Sequence, residues 1–260
     1  MENKKKNNAF LNISGKIVPK PEGLDCNIEN GKVYMLLREK GDDSLYLQED
    51  KDFEFPKKYY QSDNDKKLIK RAITTFNNTD KLTTGVLLSG LKGSGKTLMM
   101  KKLAKESGLP IIVIDKNVYP EDIEGFFAQL TIDVCVLFDE IDKYWNTRYL
   151  LGFLDGVKPT CKKLVVATCN DEKEIDSYLN DRCSRIRYKK TFKGLTKDTV
   201  GGIINDIIDN KDKADAAAEY ICSNMETVSH DNVIIFGEEI KNNPDDSFDE
   251  IMEFLNISKR

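Results

Sequence analysis

The chain has 260 residues, 40% of them hydrophobic, enough to bury one full core and a small accessory domain. Its 40 Lys and Arg are outnumbered by 44 Asp and Glu, and the formal charge of −4 excludes a global basic field that would draw the whole molecule onto nucleic acid. No run of about 18 apolar residues occurs and the start MENKKKNNAF lacks an apolar secretory stretch, so the expectation is a cytoplasmic protein without a membrane span.

Residues 1–20 carry five lysines and one glutamate with little apolar content, which predicts a flexible basic arm. Residues 21–56 predict a small N-terminal β element. In it KVYMLLREKGDDSLYLQED places two β-rich runs around a Gly-Asp-Asp-Ser turn, and DFEF stops at Pro56. Lys66 to Phe76 predicts a helix with Leu68, Ile69, Ala72 and Ile73 on one face. Strands are then expected at Gly85–Ser89, Ile111–Asp115, Val134–Phe138, Leu164–Thr168 and Ile186–Tyr188, with helices between them. Continuous apolar strands alternating with helices predict a parallel α/β sheet over residues 57–190. Residues 191–260 read as all-helical, since Val200, Ile203, Ile204 and Ile207 repeat at helical spacing, as do Phe248, Ile251, Met252 and Leu255 beyond Pro244. The six cysteines form no C-x-x-C pair and are read as reduced fillers rather than metal ligands.

The segment GLKGSGKT, comprising Gly90, Leu91, Lys92, Gly93, Ser94, Gly95, Lys96 and Thr97, follows the strand GVLLS and opens a helix at Leu98. Phosphates need converging N–H donors. Gly93 and Gly95 let the backbone curl closely while the positive end of the helix points at the same place. Lys96 is then expected to reach the β and γ phosphates of ATP, and Thr97 to offer a hydroxyl ligand to Mg²⁺. Downstream, the apolar strand in DVCVLFDEIDK delivers Asp139 and Glu140 at its carboxyl end, where α/β sheets place ligands. Asp139 is the expected holder of the Mg²⁺ shell and Glu140 the expected base for the attacking water. The strand KKLVVATCND ends with Thr168 and Asn170. The Asn170 amide either helps place that water or belongs to an ordinary turn.

These residues resemble the AAA+ ATPases: GLKGSGKT is similar to Walker A, VCVLFDEID to Walker B and VVATCN to sensor 1, over roughly Thr83 to Tyr188. LLGFLDGV is similar to the Leu-rich segment that precedes the sensor strand, and DRCSRIRY resembles the segment that carries arginine fingers. The resemblance implies an AAA+ P-loop core, a C-terminal helical lid and a homo-oligomeric, hexameric ring that hydrolyses ATP between subunits. By it, Arg182 and Arg185 would act on the nucleotide of a neighbouring copy; the competing reading pairs them with Asp176 or Asp181 at the surface. The family's lid arginine has no counterpart here, where SHDNVIIFGEEI offers only His230 and Asp231. FPKKYY resembles the hinge beside adenine, making Tyr59 and Tyr60 either adenine contacts or core. Val118 and Tyr119, or Tyr144 and Trp145, could grip a substrate in a pore or could simply pack. The wording is similar to compact bacteriophage AAA proteins, which implies an ATP-driven remodeller of a protein or nucleic-acid partner. A clamp- or helicase-loader and an ATP-gated scaffold are the alternatives.

Overall fold

The computed structural model describes residues 10–13, 15–19, 27–41, 44–56, 62–155, 161–175 and 185–259. These fall into two compact units. One holds the described residues up to Ser89 together with Thr97–Lys190; the other holds Gly90–Lys96 and the chain from Thr191 onward.

Among the described residues nine strands form one sheet: β1 (Phe10–Ile13), β2 (Lys16–Pro19), β3 (Val33–Arg38), β4 (Leu45–Asp50), β5 (Thr83–Gly90), β6 (Ile111–Ile114), β7 (Val134–Phe138), β8 (Lys163–Cys169) and β9 (Ile186–Phe192). Their order is β1-β2-β4-β3-β6-β7-β8-β5-β9. Parallel pairing runs through β6, β7, β8 and β5, with Val113 opposite Leu137, Phe138 opposite Ala167 and Ser89 opposite Cys169. Every residue of β7 and β8 is buried, which is why both read as uninterrupted apolar runs. The edge strand β9 instead alternates, with Ile186, Tyr188, Lys190 and Phe192 screened and Arg187, Lys189 and Thr191 open. Against β5, the approach is so close that a Cβ on Gly85 would lie 2.0 Å from the Arg185 carbonyl oxygen.

The helices α1 (Asp63–Asn78), α2 (Lys96–Ser107), α3 (Pro120–Phe127), α4 (Ile141–Tyr144) and α5 (Leu150–Asp155) connect these strands. Helix α1 starts three residues before the apolar periodicity, because Ser62 and Asp65 close a capping box that satisfies its first amides. The buried Asp65 also pairs with Lys190 on β9, fixing α1 to that sheet edge. Aromatic packing of Phe127, Phe138, Trp145 and Phe153 in edge-on contacts fills the core beneath α3 and α5.

Residues 10–13 and 15–19 differ from the arm expected through Lys20, the rest of which lies outside the described residues. There, β1 and β2 pair antiparallel, β2 continues onto β4, and β3 lies parallel to β6, so the N-terminal strands extend the main sheet. The physical reason is burial against distant parts of the chain. Phe10 and Ile17 are buried in the core cluster, and two such side chains outweigh the lysine-rich composition around them. The DFEF run forms no strand, and Tyr59, Tyr60 and Arg182 lie outside the described residues.

In the second unit, α6 (Lys197–Ile208), α7 (Lys211–Asn224), α8 (His230–Asn242) and α9 (Phe248–Phe254) enclose their own core of Val200, Ile204, Ala217, Ile221, Phe236 and Met252. Each is started by a side-chain cap: Thr196, Asn210, Ser229 and Ser247.

Candidate functional site

The residues expected to carry the chemistry fall into two sets, one in each compact unit. In the first unit, β7 ends at Phe138 and the chain passes through Asp139 and Glu140 into α4. Parallel pairing with β8 brings Thr168 and Asn170 alongside. The buried Thr168 hydroxyl donates to Asp139 Oδ1 at 2.5 Å and accepts the Glu140 N–H at 2.8 Å. Thr97 Oγ1 lies 3.1 and 3.3 Å from the two Asp139 oxygens. Glu140 is left-handed, at φ 53° and ψ 55°, which turns its side chain away from the strand direction. Its Oε1 accepts from Asn170 Nδ2 at 3.2 Å, and its Oε2 lies 3.4 Å from Lys143 Nζ. Thr97, Asp139, Glu140 and Asn170, singled out separately in the sequence, are therefore one hydrogen-bonded group.

The second unit holds the glycine loop. Lys96, only 6% exposed, donates from Nζ to the carbonyls of Gly90 at 2.7 Å and Leu91 at 2.8 Å. These bonds curl the loop back over its own lysine. Leu91 and Lys92 are exposed, whereas the Ser94 hydroxyl is buried without a hydrogen-bond partner. Gly93 has φ +70°, and a Cβ there would lie 2.9 Å from Asp231 Oδ2 and 3.2 Å from Ser229 Cβ, so this position requires glycine on both counts. The His230 N–H, first of α8, donates to the Gly93 carbonyl at 2.9 Å, and the His230 ring lies 3.6 Å from where a Gly95 Cβ would be. Burial pushes the His230 imidazole below its usual 6.5, with Asp231 opposing that shift. Leu98, half-buried, follows Thr97 within α2.

Arg185 differs from its expectation as a residue presented to a neighbouring copy. It is 5% exposed and grips Asp155 in a two-pronged pair, with Nε donating to Oδ1 at 2.6 Å and Nη2 to Oδ2. A guanidinium so enclosed is part of the fold of its own subunit. Among the pore candidates, Val118 and Trp145 are buried and joined by a bond from Trp145 Nε1 to the Val118 carbonyl at 3.2 Å. Tyr119 is 58% exposed with the Arg38 guanidinium 4.0 Å from its ring centre, and Tyr144 is 40% exposed beside Lys143. Asp142, two residues beyond Glu140, was not legible as a site residue, because an acid inside a short helix reads as solvated. Its Oδ2 accepts the backbone N–H of both Asn170, at 2.9 Å, and Asp171, at 3.1 Å.

Among the described residues no three His, Cys, Asp or Glu gather into a metal cage, and no helix is long and apolar enough to cross a membrane. The oxygen pair Thr97–Asp139 does suit Mg²⁺, which takes few protein ligands and shares the rest of its shell with phosphate and water.

Residues 86–191 match the family model described as ATPase family associated with various cellular activities (AAA). An ATP-dependent zinc metalloprotease FtsH 3 of Conexibacter woesei is 28% identical over 127 residues, covering 38% of this chain and 17% of that protein. The corresponding FtsH of Rhodothermus marinus is 32% identical over 115 residues, 39% of this chain and 16% of that protein. The chain thus spans less than a fifth of the length of these two relatives. A mutant of Thermotoga maritima RuvB has the same fold, at a TM-score of 0.57 with 20% identity over 75% of this chain and 70% of that one. The glycine loop after β5 and the acidic end of β7 both fall within residues 86–191, the stretch that matches the AAA model, and the chain carries an AAA+ P-loop ATPase domain.

Proposed function

We propose that the chain binds Mg·ATP at the glycine loop and hydrolyses it to ADP and phosphate, using the energy to remodel or translocate a partner. The observation that carries this reading is the hydrogen-bonded group of Asp139, Glu140, Thr168 and Asn170 at the carboxyl ends of β7 and β8. The backbone N–H groups of Gly93–Lys96 and the Lys96 ammonium bind the phosphate chain once Lys96 exchanges its two loop carbonyls for phosphate oxygens. Thr97 directly, and Asp139 through its shell, would hold Mg²⁺, which would supply charge neutralisation at the phosphates when bound. Glu140 accepts the proton of the attacking water while Asn170 holds both the carboxylate and that water. The water oxygen then bonds to the γ phosphorus as the bond to the β-phosphate oxygen breaks, and ADP leaves. The description of the FtsH relatives as ATP-dependent supports the choice of nucleotide.

We read the chain as assembling into a homo-oligomeric ring of six copies, a reading that the AAA+ relationship supports. Because Arg185 is engaged with Asp155 in its own subunit, Arg182 is the finger that acts across the interface. Such residues raise rates by about 10³ to 10⁵ in related NTPases. The test is phosphate release by Glu140→Gln. We expect turnover to fall at least about a hundredfold, with ATP still bound and the oligomer trapped. Unchanged turnover removes Glu140 from the mechanism.

A further inference from the structure

We infer that Asp142 is a positioning residue for hydrolysis, setting the Asn170 amide and through it the Glu140 carboxylate; this rests on the ATPase reading above. One oxygen of Asp142 holds two consecutive amides, those of Asn170 and Asp171, where β8 ends. The Asn170 side chain then reaches Glu140 Oε1 at 3.2 Å. Asp142 and Glu140 sit two residues apart in the same turn, so the link closes a loop: Glu140, Ile141, Asp142, the Asn170 backbone, the Asn170 side chain, and Glu140 again. A closed loop fixes the distance between base and amide in a way a single bond does not. It also braces the left-handed backbone at Glu140, whose own N–H is tied to Thr168 on the same neighbouring strand.

A purely structural clip between α4 and β8 has no need of a carboxylate, since any neutral oxygen accepts two N–H groups. The second oxygen, Asp142 Oδ1, is buried and has no hydrogen-bond partner among the described residues. A buried carboxylate oxygen left without a partner is a destabilising feature, so its presence argues for a role of the charge itself. Charge strengthens both N–H bonds and holds Asn170 more rigidly than a neutral acceptor would.

The experiment compares Asp142→Ala, Asp142→Asn, Asn170→Ala and the Asp142→Ala/Asn170→Ala double variant in the full chain, measuring kcat, KM, ATP affinity and melting temperature. We expect Asp142→Ala to lower kcat about a hundredfold, as misplacement of a reacting group does, with ATP affinity unchanged within about twofold. Asp142→Asn should recover about tenfold of that loss, and adding Asp142→Ala to Asn170→Ala should cost less than about threefold more. Full additivity with Asn170→Ala, or parental kcat in Asp142→Ala while Glu140→Gln is inactive, overturns the assignment. Should Asp142→Ala fail to fold, the same additivity test run with Asp142→Asn decides. Absence of ATP turnover in the folded parent chain would instead defeat the underlying ATPase reading, whatever Asp142 does.

Discussion

Glu140 carries the most consequential backbone torsions in the chain, because a non-glycine residue at φ 53° and ψ 55° sits about 1–3 kcal/mol above the right-handed alternatives. That cost is tolerated where it aims a carboxylate off the strand end. Glu140→Gly is therefore expected to abolish turnover while leaving the melting temperature equal to or above that of the parent; a large fall in melting temperature would contradict the strain. Arg185→Ala should behave in the opposite way. Removing one partner of an enclosed ion pair costs about 2–4 kcal/mol, discounted at the Asp155 end because that carboxylate is partly open to water. Urea unfolding should show this loss in the isolated chain, whereas Arg182→Ala should leave unfolding unchanged and lower turnover. At His230 the imidazole binds its proton less readily in the folded state than when unfolded. Between the lowered value and 6.5 the unfolded chain holds more protons, so stability is complete above 6.5 and declines as the pH falls through that window. Melting curves from pH 7.5 to 5 should show the decline, and His230→Gln should flatten it.

At the scale of elements, β9 and α1 depend on two close fits. Gly85→Ala drives a Cβ into the Arg185 carbonyl, so β9 must separate from β5, and a loss exceeding about 3 kcal/mol is expected in denaturant titrations. Ser62→Ala opens the capping box of α1 and should cost about 1 kcal/mol. The same elements explain what was readable in the sequence. Strands β7 and β8 were legible because they are buried on both faces, and the glycine loop because its conformation requires Gly93 and Gly95. The β1–β2 hairpin was hidden, since its pairing with β4 is a contact between residues about 30 apart, and the local lysines outweigh the apolar signal of Phe10 and Ile17. The site residues Asp139, Glu140 and Asn170 could be named from strand ends. Asp142 could not, because its role depends on which backbone amides β8 brings beside α4. The enclosure of Arg185 was likewise invisible, as Asp155 lies 30 residues earlier and pairs only once the sheet forms.

For the whole molecule, shared sites between copies are the feature that separates a ring from an isolated ATPase. Mixing Glu140→Gln chains with Arg182→Ala chains should restore part of the turnover that each lacks alone, because a mixed interface joins an intact base to an intact finger. No recovery at any ratio would count against catalysis between subunits. All of this presupposes that the loop from Gly90 to Thr97 holds a triphosphate. Isothermal calorimetry of Mg·ATP added to the folded protein measures that most directly. One binding event per chain is predicted, lost in Lys96→Ala at unchanged melting temperature; no heat of binding to the folded parent protein would contradict the account.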